Sequence, residues 1–269
     1  MQARIVSPGR GAAWLGEGWR FFKAAPFGWF ALIFAYWLLM TLASVLPFVG
    51  VALASAMVPA FAVGFMAAAR AAAAGGGIEM KMLFDGFRHA PRSQASLGAV
   101  YVVCLAAVLA GSAAVDGGAL ARWMLTGTRP GDETLQSGTF IAALAVAAAL
   151  YAPVMMMFWF APPLAAWHGT GAAKALFFSF YGCLLNWRAF LAYGAVTAII
   201  AVGMPFMTVL LLMLLTRGAP ALPVASLAFP LVLVLLPTLF ASFYASYRDV
   251  FAPPAAPPQE EARGIMPSQ

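Results

Sequence analysis

The stretch Phe27-Gly-Trp-Phe-Ala-Leu-Ile-Phe-Ala-Tyr-Trp-Leu-Leu-Met-Thr-Leu-Ala-Ser-Val-Leu46 contains no charged residue. As a helix rising about 1.5 Å per residue it covers roughly 30 Å, the thickness of the hydrocarbon core of a bilayer. Five further charge-free stretches follow, at 49–69, 93–115, 138–167, 189–216 and 218–247. Across the whole chain 64% of residues are hydrophobic and 9% charged, against about 25% charged in a soluble domain. So few polar groups could not cover a water-facing surface. The residues therefore predict an all-α polytopic membrane bundle of about six transmembrane helices, forming one domain over 1–251.

The boundaries follow from local chemistry. Gly75, Gly76 and Gly77 are expected to stop the second helix, because glycine loses most backbone entropy on ordering. The last three stretches are longer than a span needs, and tilt or a connecting turn can absorb the excess. Pro220 and Pro223 are expected in the last connector. Pro230 and Pro237 are expected to kink the sixth span, since proline removes an intrahelical hydrogen bond. Arg4, Arg10, Glu17, Arg20 and Lys23 interrupt any apolar core of a cleavable signal, so the first span is expected to act as an uncleaved anchor. Residues 252–269, rich in Pro, Ala and Glu, predict a disordered cytoplasmic tail.

The net charge of +6 lies between the apolar stretches, which points to membrane topology and away from nucleic acid. With six spans and the N-terminus inside, the cytoplasmic segments hold Arg4, Arg10, Arg20, Lys23, Arg70, Lys81, Arg88, Arg92, Lys174, Arg188, Arg248 and Arg263. The outside segments hold Arg122, Arg129 and Arg217. Twelve against three satisfies the positive-inside rule and places both termini in the cytoplasm of a bacterial inner (plasma) membrane.

The segments before the spans repeat. Glu17-Gly-Trp-Arg20 precedes the first span, Asp85-Gly-Phe-Arg88 the third, and the looser Lys174-Ala-Leu-Phe-Phe-Ser-Phe-Tyr with Asn186-Trp-Arg188 the fifth. In the first, Trp14, Leu15, Phe21 and Phe22 share an arc opposite Glu17, Arg20 and Lys23. In the second, Met80, Leu83, Phe84 and Phe87 oppose Lys81, Asp85 and Arg88. Each reads as a short interfacial amphipathic helix. Pro59, Pro163 and Pro237 each lie 11 residues before a cation, Arg70, Lys174 and Arg248. These periodicities predict three parallel hairpin repeats, at about 12–77, 78–171 and 172–251.

Several strings, among them Trp14-Leu-Gly-Glu-Gly-Trp-Arg-Phe-Phe, Leu83-Phe-Asp-Gly-Phe-Arg, Phe158-Trp-Phe-Ala-Pro, Asn186-Trp-Arg-Ala-Phe and Phe240-Ala-Ser-Phe-Tyr-Ala-Ser-Tyr-Arg-Asp, resemble a family. It is an uncharacterised family of beta-proteobacterial multi-pass inner-membrane proteins, of BPSS type. The resemblance covers nearly the whole chain except the tail and implies no activity. The helix-then-hairpin unit is also similar to the membrane domain attached to some glycerophosphodiester phosphodiesterases, a likeness of fold alone.

Few residues offer chemistry. Gly75–Gly77 lacks the Lys-Ser/Thr of a phosphate loop. His89 and His168 fall at span boundaries and read as interfacial hydrogen-bonding groups. Cys104 and Cys183 form no disulfide framework or metal knuckle. No charge or imidazole is expected inside a span, which disfavours a hydrolase and an ion-coupled carrier. No cofactor is expected, and the chain is read as non-enzymatic. Thr41, Ser44, Ser55, Tyr101, Tyr151, Tyr193, Thr197, Ser226, Thr238 and Ser242 are expected as interhelical packing groups. Ala52, Ala56, Ala60, Gly64 and Ala68, each four apart, form a small-residue packing stripe, with Val63 expected to face lipid. Arg20, Arg88 and Arg188, beside the aromatic Trp19, Phe87 and Trp187, are candidate lipid-headgroup contacts, as is Arg248. The expected partners are membrane lipids and a membrane protein or a second copy of the chain. The expected function is a scaffold, assembly or regulatory component, with a permease or flippase-like carrier for a lipid-like or apolar solute as the alternative.

Reporter fusions test the charge-based topology. Those placed after Gly77, after Gly171 and at the C-terminus are expected to report cytoplasm, and one between 122 and 137 the outside. A cytoplasmic signal from the last would overturn the six-span topology.

Overall fold

A computed structural model describes residues 3–46, 49–215 and 224–251. Over their described residues the charge-free stretches are mainly helical, and six helices are long and apolar enough to cross a membrane. Helix α1 (Pro8–Ala24) precedes the first span, α2 (Pro26–Ser44), and α3 (Gly50–Ala73) is the second. A 3₁₀ turn (Met80–Phe84) and the single turn α4 (Asp85–Arg88) lead into α5 (Pro91–Asp116). Helices α6 (Ala119–Thr126) and α7 (Asp132–Gln136) make up the long connection to α8 (Gly138–His168). Helix α9 (Ala172–Leu185) precedes the fifth span. That span consists of α10 (Trp187–Ala198), a π turn (Ile199–Gly203) and α11 (Met204–Leu215), and α12 (Val224–Phe251) is the sixth. Pro220, Pro223, Arg217, Arg263 and the tail at 252–269 lie outside the described residues, as does the side chain of Pro230.

Six spans alternate in direction, so the ends of α3, α8 and α12 meet the starts of α2, α5 and α10. Contacts tie this end together. Arg70 lies over the Trp167 ring at 4.5 Å, and His168 Nε2 is 2.6 Å from the Tyr247 hydroxyl. The opposite end carries the α6–α7 connection. There Asp116 accepts from the amides of Gly118 and Leu120 at 2.8 and 2.7 Å, and Leu120 packs on Phe140.

The short segments are built into the basic end and do not simply lie on it. Helix α1 packs on α12 and α10, the 3₁₀ turn and α4 on α3, and α9 on α8. Trp14 and Leu15 are buried as their arc requires. Glu17, expected on the polar arc, is buried as well. Residues 80–88 do not form one helix: the 3₁₀ turn changes to α geometry at Asp85, which turns Leu83 and Gly86 inward and leaves Met80, Phe84 and Phe87 exposed. Helix α9 is apolar apart from Lys174 near its start, and it buries its small face, Ala175, Ser179, Gly182 and Cys183.

Helix α3 is the hub, touching α2, the 3₁₀ turn, α4, α5, α8 and α12. Its small residues receive neighbouring backbones, the arrangement lipid-embedded helices use when no water drives them together. A Cβ on Gly64 would collide with the carbonyl of Leu83. Gly86 in turn abuts the Ala60 carbonyl and Gly98 the Ala56 carbonyl. The seam thus runs from Ala56 to Gly64, with buried Ala68 in line beyond it. Ala52 is exposed beyond it. Val63, expected to face lipid, is fully buried, because the seam and the aromatic core together occupy nearly the whole circumference of the basic half of α3.

Prolines and polar side chains open the ladder of α8. Ser179 Oγ accepts from the Phe160 amide at 2.9 Å and donates to the Met156 carbonyl at 2.7 Å, so a hydroxyl from α9 stands in a bond the helix would make with itself. Gln94 Nε2 donates to the Pro162 carbonyl at 2.8 Å. Inserting a side chain into the i to i−4 ladder is a recognised cause of bending.

Gly64→Leu is expected to cost about 1–3 kcal/mol through overpacking against the Leu83 backbone. Val103→Leu, on an exposed position of α5, is expected to be near neutral. Equal melting temperatures of the two variants in detergent would count against the seam.

Candidate functional site

Two constellations stand out, one at the basic end and one near the bilayer centre. The first joins the two ends of the chain. Arg10, Trp14 and Glu17 are spaced i, i+4, i+7 and lie on one face of α1. That face meets Arg248 and Asp249 on α12. Arg10 pairs with Glu17 at 2.8 Å and with Asp249 at 2.6 Å. Glu17 also takes the Arg248 guanidinium, and Trp14 Nε1 donates to Asp249 at 2.9 Å. Burial alone would lower the Arg10 pKa, but its bonds to Asp249 and Glu17 outweigh that and hold it above its ordinary value.

The residues before α1 are fastened by the same assembly. Arg4 donates its amide to the Val250 carbonyl at 2.9 Å and its guanidinium to the Arg248 carbonyl at 2.7 Å. Buried Asn186 accepts from the Val6 amide at 2.8 Å and donates to the carbonyls of Arg4 and Gly182, both at 2.9 Å. Its carboxamide presents donor and acceptor together, which is what an extended backbone segment requires.

The second constellation is an apolar cavity of about 200 Å³, open on one side and lined by α2, α3, α5, α8 and α12. Pro59 and Pro162 shape its walls, and Phe65 stacks on Phe240 at 4.2 Å between ring centroids. Tyr36, Tyr101 and Tyr151 enter it from near the middle of their spans. The hydroxyls of Tyr101 and Tyr151 lie 3.0 Å apart. Met155, 38% exposed, stands at the rim.

The sequence-named residues divide as follows. Arg248 is engaged by Glu17 and Asp249. Arg20 is largely exposed, 3.8 Å from Glu17. Arg188 lies over Trp187 at 5.3 Å. Exposed Arg88 shares a surface hollow with Arg70, Lys81 and Asp85. Of the hydroxyl residues, the Tyr101–Tyr151 and Tyr193–Ser242 pairs bridge helices. Ser44, Thr238 and Ser242 donate to carbonyls of their own helices, the local satisfaction such side chains favour. His89 faces the Asp85 carbonyl and His168 the Tyr247 hydroxyl. Among the described residues no three His, Cys, Asp or Glu side chains gather as a metal site, and burial pushes the Cys183 thiol up, away from reactivity. Sequence reasoning missed the Glu17 cluster, although the i, i+4, i+7 spacing of Arg10, Trp14 and Glu17 signals it. It also missed Tyr36, for which no spacing signal exists.

The chain is 42% identical over 265 residues to a probable inner membrane protein of Burkholderia thailandensis, covering 96% of this chain and 97% of that one. No family model and no solved structure matches the chain.

Glu17→Gln is expected to destabilise the protein by roughly 1–2 kcal/mol, because charge-assisted bonds to two half-exposed guanidinium groups weaken. A double-mutant cycle of Glu17→Gln with Arg248→Met, read by denaturation in detergent, checks it. A coupling energy near zero would mean the cluster contributes nothing to holding α1 on α12.

Proposed function

This chain belongs to the family of that Burkholderia inner membrane protein, and from that premise we propose that it binds an apolar or lipid-like solute between its spans and acts as a carrier. The observation that carries this reading is the central cavity. Protein interiors normally close-pack, and ligand sites are concave, largely apolar and sparing in polar groups. A dry cavity of about 150 Å³ is enough to admit a benzene ring, so this one can hold a ring or a segment of chain. The cavity favours a carrier over a scaffold, since a scaffold needs no interior space. The carrier role proposed here is non-enzymatic.

The proposal includes orientation. The basic end faces the cytoplasm with both termini, by the charge split. There the exposed Arg20, Arg88 and Arg188 meet anionic headgroups, while Arg248 serves the ion cluster. The packing of each short segment on a span, α1 on α12, the 3₁₀ turn and α4 on α3, and α9 on α8, supports three parallel hairpin units. Two glycines in matched motifs behave alike: Gly18 abuts the carbonyl of Thr238 and Gly86 that of Ala60, each one residue after the matched Pro237 and Pro59.

A photoreactive dodecyl diazirine, supplied in nanodiscs, is expected to label residues 58–66 and 151–162 of the wild type. Ala62→Trp, which puts an indole into the cavity, is expected to remove that labelling while leaving the lipid-facing surface of α5 labelled. Labelling of lipid-facing positions alone in the wild type would overturn the reading.

A further inference from the structure

The cavity surface is overwhelmingly apolar. Among its lining residues, the phenols of Tyr36, Tyr101 and Tyr151 and the indole of Trp159 are the side-chain groups that carry a hydrogen-bond donor. Tyr101 and Tyr151 share one hydrogen bond, which uses one of their two protons and leaves the other. The hydroxyl of Tyr36 has no hydrogen-bond partner among the described residues. Trp159, also in the wall, spends its indole N–H on Ser246 at 3.1 Å. Residues of the cavity wall therefore carry two uncommitted O–H donors near the bilayer centre, where water is absent and an unsatisfied polar group is costly.

The walls constrain what can take those donors. No Lys, Arg or His lines the cavity, so a carboxylate or phosphate would be buried without a counter-charge. No carboxylate lines it either, so a cationic head has no partner beyond aromatic faces. A neutral carbonyl oxygen fits. It has two lone pairs, accepts from both phenols, and brings no proton of its own to satisfy. The rings around it suit a flat or slender apolar body: Tyr36 meets Phe61 and Phe65 edge-on at 5.3 and 5.2 Å, and Phe158 meets Tyr101 at 4.9 Å.

We infer that Tyr36, Tyr101 and Tyr151 form a polar anchor that selects an apolar solute bearing a neutral carbonyl oxygen, as in an ester, a ketone or a quinone. This rests on the cavity being the binding site and assigns the chemistry of what enters it. The phenols act as specificity groups. A site built to donate discriminates strongly against an analogue that cannot accept, because its own buried donors are then left unpaired.

The test uses three photoreactive twelve-carbon diazirine probes matched in length: a methyl ester, an alkane and a carboxylate. Each is supplied to the full-length protein in nanodiscs, and labelled positions are mapped by mass spectrometry. In the wild type the ester is expected to label the cavity segments about tenfold more than either the alkane or the carboxylate. The triple variant Tyr36→Phe, Tyr101→Phe, Tyr151→Phe keeps every ring and removes every hydroxyl. It is expected to bring ester and alkane labelling to the same level, without reducing alkane labelling below that of the wild type. Equal labelling by ester and alkane in the wild type, preference for the carboxylate, or ester preference that survives the triple variant would overturn the anchor while leaving apolar binding in place. Failure of all three probes to reach the cavity would instead remove the binding reading itself.

Discussion

Close approach of helix backbones is the constraint on which this structure depends. In a bilayer the lipid tails are as apolar as leucine, so hydrophobic burial gives one helix little reason to prefer another. What remains is contact, and contact is densest where side chains are smallest. Gly11 on Ala189, Gly18 on Thr238, Gly64 on Leu83, Gly86 on Ala60 and Gly98 on Ala56 each bring a backbone against a neighbouring carbonyl. Four of these five involve the short segments at the basic end. The short helices therefore serve as wedges that set the spacing of the spans, more than as floats on the membrane surface.

The ion cluster of Glu17 and Asp249 with Arg10 and Arg248 closes the assembly between its first and last helices. Carboxylates this buried are stable only where paired and hydrogen-bonded. Here each meets two guanidinium groups, and both guanidinium groups retain some access to water. That location, at the end of the bundle, avoids the cost of charge at the bilayer centre. Asn186 and the backbone of Arg4 and Val6 extend the clasp to α9.

The cavity is the complement of these seams. Where α3 carries Ala60 and Gly64 it is packed against backbone. On its other side Phe61, Phe65 and Met66 meet Tyr36, Trp159 and Phe240, and large rigid rings held at edge-to-face distances leave a gap. Pro59 and Pro162 lie beside it, and Ser179 braces the opened ladder of α8. Tight helix packing at the basic end thus coexists with an open apolar cavity at mid-membrane. Membership in a family of inner membrane proteins is consistent with work done within the bilayer.

Much of the fold was legible in the residues. Six spans follow from charge-free length alone, because the bilayer sets both the length and the polarity of a crossing helix. The stripe Ala56, Ala60, Gly64 and Ala68 was legible too, since fourfold spacing of small residues defines a face whatever lies against it. Hydropathy carries no azimuth in a helix apolar on every side, so it gave no sign that Val63 is buried and Ala52 is not. Glu17 was placed on the polar arc because an isolated α1 must turn its charge to water; Arg10, Arg248 and Asp249 reverse that once α12 is present. Tyr36, Tyr101 and Tyr151 sit on three different spans, 65 and 50 residues apart. The sequence by itself determined that this chain has six stretches fit to cross the membrane, with most of its cations at one end. Only the tertiary structure decided which side chains face one another, because in lipid that choice rests on the three-dimensional fit of surfaces that are nearly alike in composition.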